Sequence, residues 1–287
     1  MKLSLNKSNL AVMSIIHLLG FAGAFYLPYT SSATILLAVI LYFLTGLSIT
    51  GGLHRYWSHR SYTAKRPLQI FYLFFSTMAM VGSTIWWCRD HRIHHKYSDT
   101  ELDPHNAHRG FWWSHMGWLF FEKPAAIREV AKKIPMDDLY GDPLLRLQHK
   151  YYQWISPVLA LGVPVALSSL WHDPIGGLMV AGFLRILLKL HATLSINSFA
   201  HAWGRKPYRS DILPVENHLL SLIAHGEGYH NFHHAYQYDW KASENLRCLN
   251  LTGWMIWLCE KIGLAEGLKE AKIRPPLENM GLVSKTS

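Results

Sequence analysis

The chain has 287 residues, half of them hydrophobic, with a formal net charge of +9 and twelve tryptophans. Only 16% of its residues are charged, against roughly 25% in an average soluble protein, yet the mean hydropathy is only slightly positive. This argues against a fully soluble globule and fits a protein that is part membrane and part aqueous. Cys88, Cys248 and Cys259 are odd in number and lack a C-x-x-C pair, so they make neither a disulfide framework nor a zinc ribbon.

Residues 9–27 run nineteen positions without a formal charge, and residues 32–52 run twenty-one. A hydrocarbon core of ~30 Å needs about 20 helical residues, so each stretch can cross. The turn "PYTS" between them makes an antiparallel hairpin. Lys2, Lys7 and "AGA" at 22–24 also resemble a cleavable signal peptide, but the apolar stretch continues past that point and a second span follows directly. Residues 155–171 and 175–195 form a second pair that turns at "HDPIGG". The third span is short and holds Pro157 and Pro164. The fourth carries Arg185 and Lys189 on one face, which is costly in lipid unless they meet protein or a watery cavity.

Basic residues set the orientation. Segment 53–150 holds 14 Lys/Arg and segment 196–287 holds 10, whereas the turns at 28–31 and 172–174 hold none. Lys2 and Lys7 agree. Both termini and both long segments are therefore expected on the cytoplasmic side.

Four histidine blocks lie on that side: His54 and His59 in "HRYWSH"; His91, His94 and His95 in "HRIHH"; Asn197 and His201 in "NSFAH"; His230, His233 and His234 in "HNFHH". Residues three and four apart are neighbours on a helix, so each H-x-x-H-H offers three imidazoles to one volume. Five residues rotate about 140° on an α-helix. His54 and His59 must therefore flank a distorted helix end or reach toward two centres. A repeated spacing of this kind points to metal ligation. His17, His105, His108, His115, His149, His172, His191, His218 and His225 lack it and read as core or surface residues.

Imidazole suits zinc, copper, iron and nickel alike, but nine histidines exceed one zinc site. Two irons, each with about four histidines and room for dioxygen, account for the donors most economically; adventitious zinc could replace them. Ligating imidazoles also need partners for their other N–H, and Asp90 and Glu227 are candidates.

The stretches "GGLHRYWSHRSYTAKRPL", "WCRDHRIHHKYSDTELDPHNAHRGFWWSHMGW", "NSFAH" and "GEGYHNFHHAYQYDW" resemble, in order and spacing, the membrane-bound fatty acyl desaturases, specifically the stearoyl-CoA (Δ9) desaturase branch. The likeness runs from about residue 45 to 260. It implies an all-α integral membrane protein: four transmembrane helices as a stem, and a cytosolic helical cap (53–150 and 196–287) holding a histidine-rich di-iron site, with the whole of 1–287 as one domain. The implied ligands are His54, His59, His91, His94, His95, His201, His230, His233 and His234, with Asn197 reaching one iron through water. The implied reaction is O2-dependent removal of two vicinal hydrogens from an acyl chain, leaving a cis double bond and two waters. Substrate contacts carried over from the family are Trp87 and Thr193 at a tunnel kink, with Val81 where animal members commonly have Gln, and Arg89 and Asp90 near the thioester and pantetheine.

Where animal members place an Arg-Lys pair for the CoA phosphates, this chain reads Glu122-Lys123. That departure leaves a lipid-bound or carrier-bound acyl chain open beside acyl-CoA. With neither an H-P-G-G haem stretch nor a C-x-x-C pair, the electron donor is expected to be separate: a ferredoxin, a rubredoxin, or cytochrome b5 with its reductase. The positive charge favours an acidic partner and also anionic lipid; no nucleic acid is implied. A di-iron hydroxylase is the nearest alternative. A metal transporter would place histidines within the spans, and only His17 is expected clearly inside one.

Overall fold

The computed structural model describes residues 3–273. Lys2 and the basic residues beyond 273 that entered the charge count lie outside this range. Helix α1 (Lys7–Tyr26) starts where the Asn6 side chain accepts from the Asn9 backbone N–H at 2.9 Å, satisfying one of the free donors of a helix start. Ser31 does the same for α2 (Ser32–Leu47), which runs unbroken into a π-wound stretch, Ser48–Ser58. A short strand β1 (Thr63–Ala64) leads to α3 (Arg66–Met78) and α4 (Thr84–Tyr97). Three short helices follow: α5 (Phe111–His115), α6 (Ala125–Lys132) and α7 (Asp137–Tyr140).

The next rod joins α8 (Pro143–Pro157), a π-wound turn Val158–Gly162 and α9 (Val163–Ser169). That wide turn lies between Pro157 and Pro164, each of which removes a backbone donor from the ladder. Another rod joins α10 (Pro174–Gly176), Gly177–Leu184 and α11 (Arg185–Ala202). The chain closes with α12 (His218–Ile223), α13 (His230–Ala235), α14 (Leu251–Lys261) and strand β2 (Ala265–Glu266). β1 and β2 pair antiparallel, Thr63 opposite Glu266. The fold is thus mostly helical rather than wholly so; a two-residue ribbon is too short to leave an alternating pattern in the sequence.

Among the described residues, three helices can cross a membrane by length and composition: Lys7–Tyr29, Ser32–Ser58 and Pro174–Ala202. Residues 155–171, expected as a further span, do not qualify. They share a rod with Arg146, Gln148, Lys150 and Gln153, and Pro157 and Pro164 interrupt the apolar part. The two turns that lack Lys and Arg do meet. Asp173 accepts from the backbone N–H of Gly176 at 2.9 Å and of Ser31 at 3.0 Å, and Trp171 Nε1 donates to Thr34 Oγ1 at 2.7 Å. Gly20 lets α1 approach α11 closely, since a Cβ there would sit 2.7 Å from the Leu187 side chain; small residues serve this purpose between membrane helices.

Arg185 and Lys189 are each only 1% exposed, so they face protein, as lipid requires of them. Arg185 donates to the Ala181 and Ala160 carbonyls at 2.7 and 3.1 Å. Lys189 Nζ lies 3.5 Å from the centre of the Tyr42 ring. Two apolar clusters frame the site. One, with Met13, Ile16, Leu41, Ile186 and Leu190, sits among the long helices; the other, with Leu53, Trp57, Tyr72, Ile85, Ile93 and Ile256, draws on the two elements that carry His54, His91, His94 and His95.

Candidate metal centre

The histidine blocks converge. His54, His59, His91, His95 and His233 bring their ring nitrogens within 4.8 Å of one another, and so do His94, His201, His230 and His234. Each H-x-x-H-H is therefore split rather than aimed at one volume. Its first and last histidines join one group and its middle histidine joins the other. His54 and His59 share a group because the helix there is π-wound: the His59 N–H donates to the His54 carbonyl five residues back, at 3.1 Å. Such winding aligns residues five apart, so the 140° offset of an α-helix does not apply, and this pair does not reach toward two centres.

Carboxylates orient three of the rings. His54 Nδ1 meets Glu227 Oε2 at 2.9 Å, His94 Nδ1 meets Asp103 Oδ2 at 2.9 Å, and His201 Nδ1 meets Asp99 Oδ2 at 3.0 Å. Each contact fixes the tautomer and turns Nε2 inward. Glu227 is itself held by Arg55, whose Nη2 and Nε donate at 2.7 and 3.1 Å. Burial pushes its carboxyl up, but Arg55 and His54 outweigh this and bring it down to about 2. Asp103 also accepts from the backbone N–H of Asp99 and of His105.

Glu227 is thus one of the expected partners. Asp90 is not: it pairs with Lys123 instead of His91. Asp99 and Asp103 escaped the sequence reading, although they follow His94 by five and nine residues in "HHKYSDTELD". Asp103, His94 and His105 form a third cluster of donor atoms, but its His94–Asp103 contact is the orienting bond already described.

The donor chemistry fits metal. His233 Nε2 faces His54 Nε2 at 2.9 Å and His95 Nε2 at 3.0 Å; His230 Nε2 faces those of His201 and His234 at 3.1 and 3.2 Å; His59 and His91 meet at 2.8 Å. With the His54 and His201 Nδ1 protons given to carboxylates, a neutral ring can donate to only one neighbour at a time. A cation among the lone pairs satisfies all of them at once. Burial, reinforced by neighbouring imidazoles, pushes His59, His91, His95, His230, His233 and His234 well below the ordinary histidine range, which keeps them in the neutral form that metals bind. In His94 the pull of Asp103 overcomes the effect of burial and raises it.

A cavity of about 670 Å³ opens beside both groups, touching His54, His91, His94 and His230. Val81, Trp87, Asp90 and Thr193, four of the expected substrate contacts, line it together with Asn197. Arg89 does not. The Trp87 ring stacks on His91 at 4.9 Å, so it borders the five-histidine group and the cavity at once. His105 is buried, as the core reading expects, and packs on Trp118 at 4.4 Å while also lining this cavity. His17 and His115 do satisfy each other through His191, at 3.1 and 3.0 Å, and His191 lies inside a span as His17 does.

A family model described as fatty acid desaturase matches residues 30–241. Stearoyl-CoA desaturase 5 of Bos taurus is 41% identical over 269 residues, covering 92% of this chain and 79% of the relative. The acyl-CoA Delta-9 desaturase of Acheta domesticus is 41% identical, covering 92% and 75%. The acyl-CoA Delta(11) desaturase of Trichoplusia ni is 38% identical, covering 91% and 76%. On the match across most of its length, the chain belongs to the fatty acid desaturase family, in its stearoyl-CoA desaturase branch.

Proposed function

We propose that this protein is an acyl-CoA desaturase that uses O2 to insert a cis double bond, at Δ9, into a long saturated acyl chain for unsaturated fatty acid biosynthesis. The observation that carries this reading is the single cavity shared by two imidazole groups and the expected substrate positions. His54, His59, His91, His95 and His233 would hold one iron; His94, His201, His230 and His234 would hold the other, with Asn197 reaching it through water. The irons, when bound, supply the oxidising power that an unactivated methylene pair demands. Such a pair offers no polar handle, so the chain's own task is to position it. Trp87 and Thr193 shape the wall at the bend, and Val81 widens or narrows the approach. Asp90, paired with Lys123, and its chain neighbour Arg89 are assigned to the head-group end.

The remaining architecture belongs to the same proposal. Residues 155–171 complete a set of four transmembrane elements, and the histidine-bearing segments form a cytosolic cap within one domain. The electron donor is a separate protein of acidic surface. Relatives named for Delta-9 and for Delta(11) products match this chain almost equally, so bond position has to be measured. Expression in a host lacking desaturases, followed by mass spectrometry of its lipids with double-bond location, tests the whole reading. Loss of one hydrogen each from carbons 9 and 10 is the expected result; a gain of one oxygen would identify a hydroxylase instead, and unsaturation confined to intact phospholipid substrates an acyl-lipid desaturase.

A further inference from the structure

We infer that the cap is itself immersed in the bilayer, through α12 and the Trp203 corner, so that lipid holds the two segments that flank the later metal ligands. On α12, Leu219, Leu222 and Ile223 are 72%, 55% and 44% exposed, while Leu220 and Ser221 on the other side are buried. Positions i, i+3 and i+4 share one helical face, so a short amphipathic helix presents its apolar side outward. Such a helix lies in the interface plane with that side sunk among the acyl chains.

Continuity with the lipid-facing stem identifies the occupant. The Tyr42 hydroxyl, on the second long apolar helix, donates to the Ile223 carbonyl at 2.9 Å. The end of α12 therefore sits level with residues that face lipid. Trp203 is 56% exposed and packs at 5.1 Å on Phe199, which is part of the third long apolar helix and itself exposed. Tryptophans at the ends of spans settle at the level of the lipid headgroups. Trp203 follows His201 by two residues, and α12 precedes His230 by seven. The bilayer thus braces both ends of the strand-poor segment between these ligands.

The test uses the full-length protein in phospholipid vesicles. In a Cys248→Ser background, nitroxide labels go singly at Leu219→Cys, Leu222→Cys and Trp203→Cys, with the exposed Asp211→Cys as the aqueous reference. Power saturation then compares access to dissolved oxygen and to a water-soluble nickel chelate, with bound metal per protein as a check on folding. The expected result is an oxygen-to-nickel ratio several-fold higher at 203, 219 and 222 than at 211. A ratio equal to that at 211 would mean the face is in water and would overturn the inference. Exclusion of both reagents would overturn it too, by showing a protein covering instead of lipid. Because the three labelled positions are exposed, a misfolded variant at one of them leaves the other two readable.

Discussion

Glu227→Gln removes one negative charge from the contact that orients His54 and leaves the shape of the side chain nearly unchanged. The wild-type carboxylate serves two cationic or donor groups at once, one oxygen 2.9 Å from His54 Nδ1 and the other 2.7 Å from Arg55 Nη2. A glutamine has a single acceptor oxygen, so one of the two loses its partner. The carboxyl is held at about 2, against 4.5 for a free glutamate, which converts to roughly 3 kcal/mol of stabilisation by the ionised form. Because the folded value is depressed, that stability is fully present above pH ~4.5 and is lost as pH falls toward ~2. Glutamine has no such titration. The difference between wild type and variant is therefore expected to be constant near neutrality and to shrink only in acid. Second-sphere changes of this sort typically weaken metal affinity about 10- to 100-fold. The assay is metal release to a graded series of chelators, read by elemental analysis. The five-histidine centre should empty first in the variant, while the four-histidine centre keeps its wild-type resistance. Unchanged release from both centres, with unchanged thermal stability, would show that the Glu227 contact does not govern the site.

Three other substitutions address separate parts of the site. His94→Ala takes a donor from the four-histidine group and strands Asp103, and should lower bound metal and abolish unsaturated product; a variant with normal metal content and intact lipid products would remove His94 from the ligand set. Trp87→Ala opens the cavity wall beside His91 and should shift chain-length preference or double-bond position more than it lowers metal content. Unaltered regiochemistry would count against Trp87 as the shaping residue. Arg55→Met removes the guanidinium that holds Glu227 and leaves a carboxylate without its buried partner, a loss of about 3–5 kcal/mol; a thermal midpoint within a degree of wild type would contradict that reasoning.

The parts of this protein that the sequence made legible are those governed by local chemistry. Charge-free runs of about twenty residues mark the first two long helices, and an apolar run broken only by Arg185 and Lys189 marks most of the third, because crossing a bilayer imposes length and composition together. The 155–171 stretch shows the limit. Its apolar residues suggest a span, but its prolines and the polar residues before it put it below the other three helices. The acidic partners were half legible. Glu227 sits three residues before a ligand, and Asp99 and Asp103 follow His94 in plain view, but which carboxylate meets which ring depends on how the 98–106 loop folds back. Asp90 was assigned by proximity along the chain to His91, and lost to Lys123, which arrives from 33 positions away. His105 carried no repeated spacing, and only the third dimension brings it to the cavity.

The division of the histidines between two centres is the more instructive case, since the rule that yields it is helical geometry alone. An α-helix turns about 100° per residue, so i+4 lies about 40° from i, whereas i+3 lies about 60° to the other side and some 100° from i+4. First and last histidines of an H-x-x-H-H therefore look along nearly one direction, and the middle one looks along another. On α4 this sends His91 and His95 to the five-histidine group and His94 across; on α13 it sends His230 and His234 to the four-histidine group and His233 across. The two motifs are thus complementary: each helix gives a pair of imidazoles to one histidine group and a single imidazole to the other. Placing them antagonistically lets two short helices supply six of the nine imidazoles to two adjacent centres, with neither centre depending on one helix. The π-wound end of the second span completes the five-histidine group with residues five apart, a spacing that an α-helix would have wasted. That spacing calls in an α-helical reading for a distorted helix end or for two separate centres, and the π winding of Ser48–Ser58 is the distorted end.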